Sequence, residues 1–215
     1  MSDVLDVLII IFLFALYAFV HSFLASNKVK NSFVQNFGNF IAFYRFGYNA
    51  FAVLSLYVVY EISPKPHLII YDLPTPYDII VLIPQFLALI GLFWSFKYIC
   101  AKEFLGLNQI KRYFSKNFFS QWDEELTLRI GGPYKYSRHP IYFFSTIFLI
   151  CRPAMDLFYL TVCLLAVIYF YIGSYYEEKK LVNYFGDTYI KYQKVVSRIF
   201  PGFPLRAYDH KKVGG

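Results

Sequence analysis

Charge is scarce in this 215-residue chain. Asp, Glu, Lys and Arg make up 16% of it, against 58% hydrophobic and 22% aromatic residues. That balance excludes an ordinary soluble globule and leaves several apolar runs long enough to cross a bilayer, which needs about 20 residues each. Cysteine is scarce too: Cys100, Cys151 and Cys163 lie in or beside apolar runs with no CxxC pair, which excludes a disulfide framework and a zinc site. His21, His67, His139 and His210 show no metal-ligand spacing and HExxH is missing, so no metal is expected. There is no P-loop and no GxGxxG. Basic residues are missing ahead of the first apolar run, where Asp3 and Asp6 stand instead. A cleaved signal peptide opens on a basic region, so this run is expected to stay as a membrane helix. The net charge of +7 could suggest nucleic acid, but its placement fits membrane topology better, and no nucleic-acid partner is expected.

What is present reads as an all-α integral membrane protein with about five transmembrane helices in one domain, 1–215. Three spans are expected in 1–100: Leu5–Ala25, Phe40–Ile62 and Tyr77–Cys100. Residues 101–130 form a long polar loop in which EFLGLNQIKRYF reads as an amphipathic helix at the surface. Residues 131–203 hold the rest: Ile141–Ile150 and Leu157–Tyr176 as a helical hairpin turning at Arg152–Asp156, then a charged, amphipathic helical tail. Gly186 should divide that tail into two short helices, and the last residues read as disordered. In this arrangement 19 of the 21 Lys and Arg fall on one side, leaving only Lys65 and Arg152 on the other. The positive-inside bias then puts the long loop and the tail in the cytoplasm.

The chain is organised around Gly131–Tyr142, GGPYKYSRHPIY. Gly-Gly-Pro forces a turn, because Gly permits positive φ and Pro fixes its own. Ser137 can cap the helix that follows, and Pro140 stands in its first turn, where helices accept Pro. Arg138 and His139 then lie at a helix N-terminus that favours an anion. Tyr134, Tyr136 and Tyr142 add aromatic faces that attract cations. The stretch suits a ligand carrying a carboxylate or phosphate together with a cation or flat ring. The plainer reading is interfacial: Arg and His snorkel to headgroups, and Tyr belongs to the aromatic belt.

The segments GPYKYSRHPIY at Gly132–Tyr142 and EEKKLVNYFGDTYIKY at Glu177–Tyr192, separated by the expected hairpin, resemble the integral-membrane methyltransferases of the isoprenylcysteine carboxyl methyltransferase and phospholipid methyltransferase type. HSFLAS at the end of the first run, EFLGLNQ in the long loop and YIGSYYEE before the tail are similar to the methanethiol S-methyltransferase and NnrU-like subgroup. The carboxyl methyltransferases usually carry an Arg four residues before the first Glu. Here that position is Gly173, which weighs against a prenylcysteine carboxylate as acceptor.

The resemblance implies S-adenosylmethionine as cofactor, bound on the cytoplasmic face between the start of the RHP helix and the tail. The implied catalytic pair is Arg138 and Glu178. Arg138 and His139, with Pro140 opening the helix, would hold the methionine carboxylate. Tyr134 or Tyr142 would face the sulfonium or adenine. Glu177 or Glu178 would bind ribose hydroxyls or the ammonium, the plainer alternative being a solvated charge pair. Tyr189 and Tyr192, three apart on one helical face, would cover the adenine or pack the tail. His21 is a candidate on the acceptor side, or a helix-end histidine at the interface. The acceptor implied is a small thiol or a lipophilic molecule. The alternatives are a prenylcysteine or phospholipid amine acceptor, and a non-catalytic NnrU-like membrane protein.

Overall fold

The structure, a computed structural model, describes residues 3–118, 127–202 and 207. The chain divides into two compact units, residues 1–65 with 99–127 and residues 66–98 with 128–215.

In the first unit α1 (Asp3–Ala25) leads through Ser26 into α2 (Asn27–Phe37). Ser26 is extended, and its Oγ accepts from the Val29 N–H, so it is a side-chain N-cap. α2 ends at Gly38 with φ +53°. The next helix, α3 (Ile41–Ile62), lies against α1 through polar contacts: Tyr44 Oη donates to Leu24 O at 2.7 Å, and Tyr48 Oη lies 2.8 Å from His21 Nε2.

The segment expected as one amphipathic helix is broken into α5 (Ala101–Leu105) and α6 (Leu107–Ser115), with α4 described below. Gly106 makes the break. Its φ is +89°, and a Cβ there would lie 2.7 Å from Phe46 N, so only glycine lets the turn approach the α3 backbone. Arg45 Nε and Asn49 Nδ2 both donate to Phe104 O, at 3.1 and 2.9 Å. Arg45 therefore meets protein, as an Arg among apolar residues should.

The second unit begins with a short strand, β1 (Ile69–Asp72), followed by α4 (Tyr77–Phe96). α4 packs on α7 (Pro140–Ile150) at Gly91, where a Cβ would come within 2.3 Å of the Phe144 ring. Gln85 Nε2 donates across to Phe148 O at 3.1 Å. Between α7 and α8 (Leu157–Phe185) the chain forms β2 (Ala154–Asp156), which pairs antiparallel with β1. Asp156 caps α8 by accepting from Tyr159 N at 2.7 Å.

α8 runs 29 residues without interruption. This corrects the expectation of a separate short helix before Gly186. Nothing in Tyr176–Phe185 breaks a helix, so the membrane-type helix continues through the charged stretch until Gly186, at φ +55°, ends it. α9 (Asp187–Val195) follows. The end of the tail expected as disordered lies outside the described residues.

Among the described residues three helices, α1, α4 and α8, are long and apolar enough to cross a membrane. α3 is 22 residues long but carries Arg45, Asn49 and Glu61, and α7 is apolar with only 11 residues.

Candidate functional site

The turn before α7 forms as its composition dictates. Gly132 takes φ +54°, and a Cβ on it would fall 2.3 Å from the Tyr98 ring. Pro133 opens a 3-10 turn over Gly132–Lys135, with Tyr134 buried in it. Pro140 is the first residue of α7. Ser137 does not cap that helix. His139 occupies the cap position with no side-chain bond, and Ser137 Oγ donates to Ile199 O at 2.7 Å instead. Ser137 stands two residues too early, because Arg138 N and His139 N first pair with Ser197 O and Arg198 O at 3.0 and 2.9 Å. Two N–H groups just ahead of the helix are thus taken by the chain's own tail.

Arg138 is buried, and its fork closes on Glu178: Nε to Oε1 at 2.6 Å and Nη2 to Oε2 at 3.0 Å. Nη1 donates to Gln193 O at 2.9 Å and to Val196 O. Glu178 also accepts from Gln193 Nε2 at 3.0 Å and Arg198 Nε at 3.3 Å. The plainer alternative of a solvated charge pair therefore fails for Glu178. It is 3% exposed, because the continuing α8 carries it inward beneath the tail. Four donors on two oxygens occupy the roughly four lone-pair positions of this carboxylate and leave none open to a ligand.

Around that pair lies a second, more open set. His139 is buried, with Nε2 3.3 Å from Glu178 Oε1 and Nδ1 3.5 Å from Glu177 Oε2. Nε2 lacks hydrogen-bond alignment with any partner among the described residues. The imidazole stacks on Tyr142 with centroids 5.3 Å apart and planes 5° apart, and Tyr142 stacks on Phe170 at 5.0 Å and 4°. Tyr142 Oη donates to Glu177 Oε2 at 3.3 Å. The Glu177 side chain is 50% exposed, so it is the carboxylate with room for a partner.

Tyr189 and Tyr192 pack the tail. With Val196 they form a buried cluster against Leu128, Ile130, Leu181, Val182 and Phe185. Tyr192 Oη donates to Tyr134 O, tying α9 to the motif turn. Burial raises the Tyr134 hydroxyl to about 12, with Arg129 opposing and Glu177 adding. Burial also raises Tyr189 and Tyr192.

The structure thus brings together Arg138, His139, Tyr142, Glu177 and Glu178, with Pro140 and Tyr134 beside them. His21 belongs to the first unit, where its ring meets Tyr48 and stacks on Tyr17. Gln193, Arg198 and Phe170 are the residues the sequence did not single out. Phe170 could have been found: it stands seven before Glu177, two turns along the same helix face. Gln193 and Arg198 carried no signal, since they reach Glu178 only after the turn at Gly186.

Methanethiol S-methyltransferase 1 of Bradyrhizobium diazoefficiens is 30% identical over 199 residues, which are 91% of this chain and 67% of that protein. The chain belongs to the methanethiol S-methyltransferase family. Within that family the Pseudomonas deceptionensis methanethiol S-methyltransferase is 40% identical over 68 residues, 32% of this chain and 26% of that protein. The Crocosphaera subtropica enzyme of the same name is 27% identical over 99 residues, 46% and 37%. The chain thus spans about two thirds of the first relative's length and well under half of the other two. The phospholipid methyltransferase family model matches residues 85–188, which include both the RHP turn and the paired glutamates. No solved structure matches. This member of the methanethiol S-methyltransferase family is a membrane methyltransferase, and its chemistry requires a methyl donor.

Proposed function

We propose that the protein is a multi-pass membrane enzyme that transfers a methyl group from S-adenosylmethionine to a small thiol of the methanethiol kind. The observation that carries the reading is the Arg138–Glu178 pair. It joins two motifs 40 positions apart and leaves a half-open carboxylate, Glu177, beside three parallel rings. The residues present fit the donor. Glu177 can meet an ammonium or ribose hydroxyls, and the His139–Tyr142–Phe170 stack offers faces to a sulfonium or a purine. Buried His139 Nε2 has no aligned partner among the described residues.

S-adenosylmethionine supplies an already activated methyl group on a sulfonium, so the protein's task is proximity, alignment and exclusion of water. A thiol must react as its thiolate, with a free pKa near roughly 8.5, and cationic surroundings favour that form.

The reading includes five spans, α3 and α7 crossing the membrane in addition to α1, α4 and α8, and a site on the cytoplasmic face. The Lys and Arg bias supports both. Gly173 in place of an Arg disfavours a prenylcysteine acceptor. Calorimetry on the full chain in detergent tests the donor: S-adenosylmethionine and S-adenosylhomocysteine should both bind. Headspace detection of the methyl sulfide formed from methanethiol tests the acceptor. A folded protein that binds neither nucleoside supports the non-catalytic, NnrU-like alternative. One that binds both but methylates phosphatidylethanolamine instead supports the phospholipid alternative.

A further inference from the structure

Two guanidinium groups reach Glu178, and they differ in what they have left to offer. Arg138 is 8% exposed in its side chain. Its Nε, Nη1 and Nη2 all donate within the protein, to Glu178 and to two tail carbonyls. Arg198 is 30% exposed. Its Nε donates to Glu178 Oε2, and its Nη1 and Nη2 carry no hydrogen bond among the described residues. The guanidinium carbon lies 5.5 Å from the Tyr171 ring centroid and 5.8 Å from that of Tyr175. One carboxylate and two rings therefore hold the group in place, while its outer edge stays open. That edge is the two-pronged donor face that matches a planar carboxylate. A group already fixed in position loses little rotamer freedom when it binds.

The charges around the pair point the same way. Arg138 and Glu178 neutralise each other inside. Beside the pair, Arg198 keeps a part-exposed guanidinium edge and Glu177, next to Glu178 on α8, a half-exposed carboxylate. One open positive and one open negative group complement an amino-acid zwitterion. Resting on the donor reading above, we infer that Arg198 holds the α-carboxylate of the methyl donor's amino-acid end, and that Arg138 is the positioning residue that fixes Glu178 and the tail. Arg198 stands outside both sequence motifs, and the phospholipid methyltransferase match ends at residue 188, short of it.

The test pairs two ligands with three proteins. S-adenosylmethionine and decarboxylated S-adenosylmethionine are titrated calorimetrically into the full chain, Arg198→Gln and Arg198→Lys. The unaltered protein should prefer the intact ligand by about tenfold or more, the usual effect of a charged hydrogen bond. Arg198→Gln should lose that preference while binding the decarboxylated ligand as before, and Arg198→Lys should keep part of it. A preference that survives in Arg198→Gln means another group holds the carboxylate. Equal losses for both ligands mean Arg198 acts only through Glu178. An unaltered protein that binds both ligands equally keeps the donor reading but removes the inference. One that binds neither removes the donor reading itself.

Discussion

Arg138 and Glu178 meet through two parallel hydrogen bonds, with both side chains more than nine-tenths buried. Removing one partner of such a buried pair costs about 3–5 kcal/mol when the other charge is left alone. Arg138 would be so left without Glu178, whereas Glu178 without Arg138 would keep the part-exposed Arg198 and should lose less. Arg138→Ala and Glu178→Gln should each lower the thermal unfolding midpoint in detergent, Glu178→Gln by more. The double variant should be destabilised by much less than the sum of the two. Full additivity would mean that the two side chains do not act as a unit.

Glu177 should behave in the opposite way. Among the described residues its half-exposed carboxylate meets Tyr142 Oη at 3.3 Å and His139 Nδ1 at 3.5 Å. Glu177→Gln should leave stability within about 0.5 kcal/mol and weaken S-adenosylmethionine binding by about tenfold. Unchanged affinity would place the donor's cationic end elsewhere.

The tail should come loose in alkali. Tyr134 ionises at about 12 in the folded protein against 10.0 for a free phenol, chiefly through burial. Tyr189 and Tyr192 shift upward for the same reason. A group whose folded value is raised adds stability that is complete below the unfolded value and fades as pH climbs through the folded one. Stability should therefore hold up to about pH 10 and fall between about 10 and 12. Phenolate absorbance should follow unfolding in that window. A flat unfolding midpoint across it would contradict the packing role of these rings.

Topology has its own test. With Cys100, Cys151 and Cys163 replaced by Ser, Lys65→Cys should react with an impermeant maleimide in intact cells, whereas Lys194→Cys should react only after permeabilisation. Labelling of both from outside would overturn the five-span arrangement.

Much of the molecule was legible from local chemistry. Gly132, Pro133 and Pro140 dictate their turn and helix start wherever they stand. The two motifs announced that Arg138 and Glu178 belong together. Their roles were not legible, because those depend on how α8 continues. Charge in the Glu177–Lys180 stretch suggested a surface, yet the unbroken helix turns Glu178 inward and leaves Glu177 out. Ser137 looked like a cap because sequence does not show that Ser197 and Arg198 return to take the backbone it would have served. The same return explains why Arg198 gave no signal: its partner lies 20 residues earlier, across a turn.

That return has a consequence for how the protein is made. Ser197 O and Arg198 O accept from Arg138 N and His139 N, and Gln193 O and Val196 O accept from the Arg138 side chain. A ribosome delivers these acceptors well after the donors they meet. Until they emerge, the RHP turn has its donors pointing at water or headgroups, and Glu178 lacks Gln193 and Arg198. A chain stalled at Gly186 would already hold every apolar helix described here, and so could sit in a bilayer, yet its site would be open and unformed. Insertion and maturation are thus separate events, with the segment that follows Gly186 deciding when an embedded precursor becomes competent.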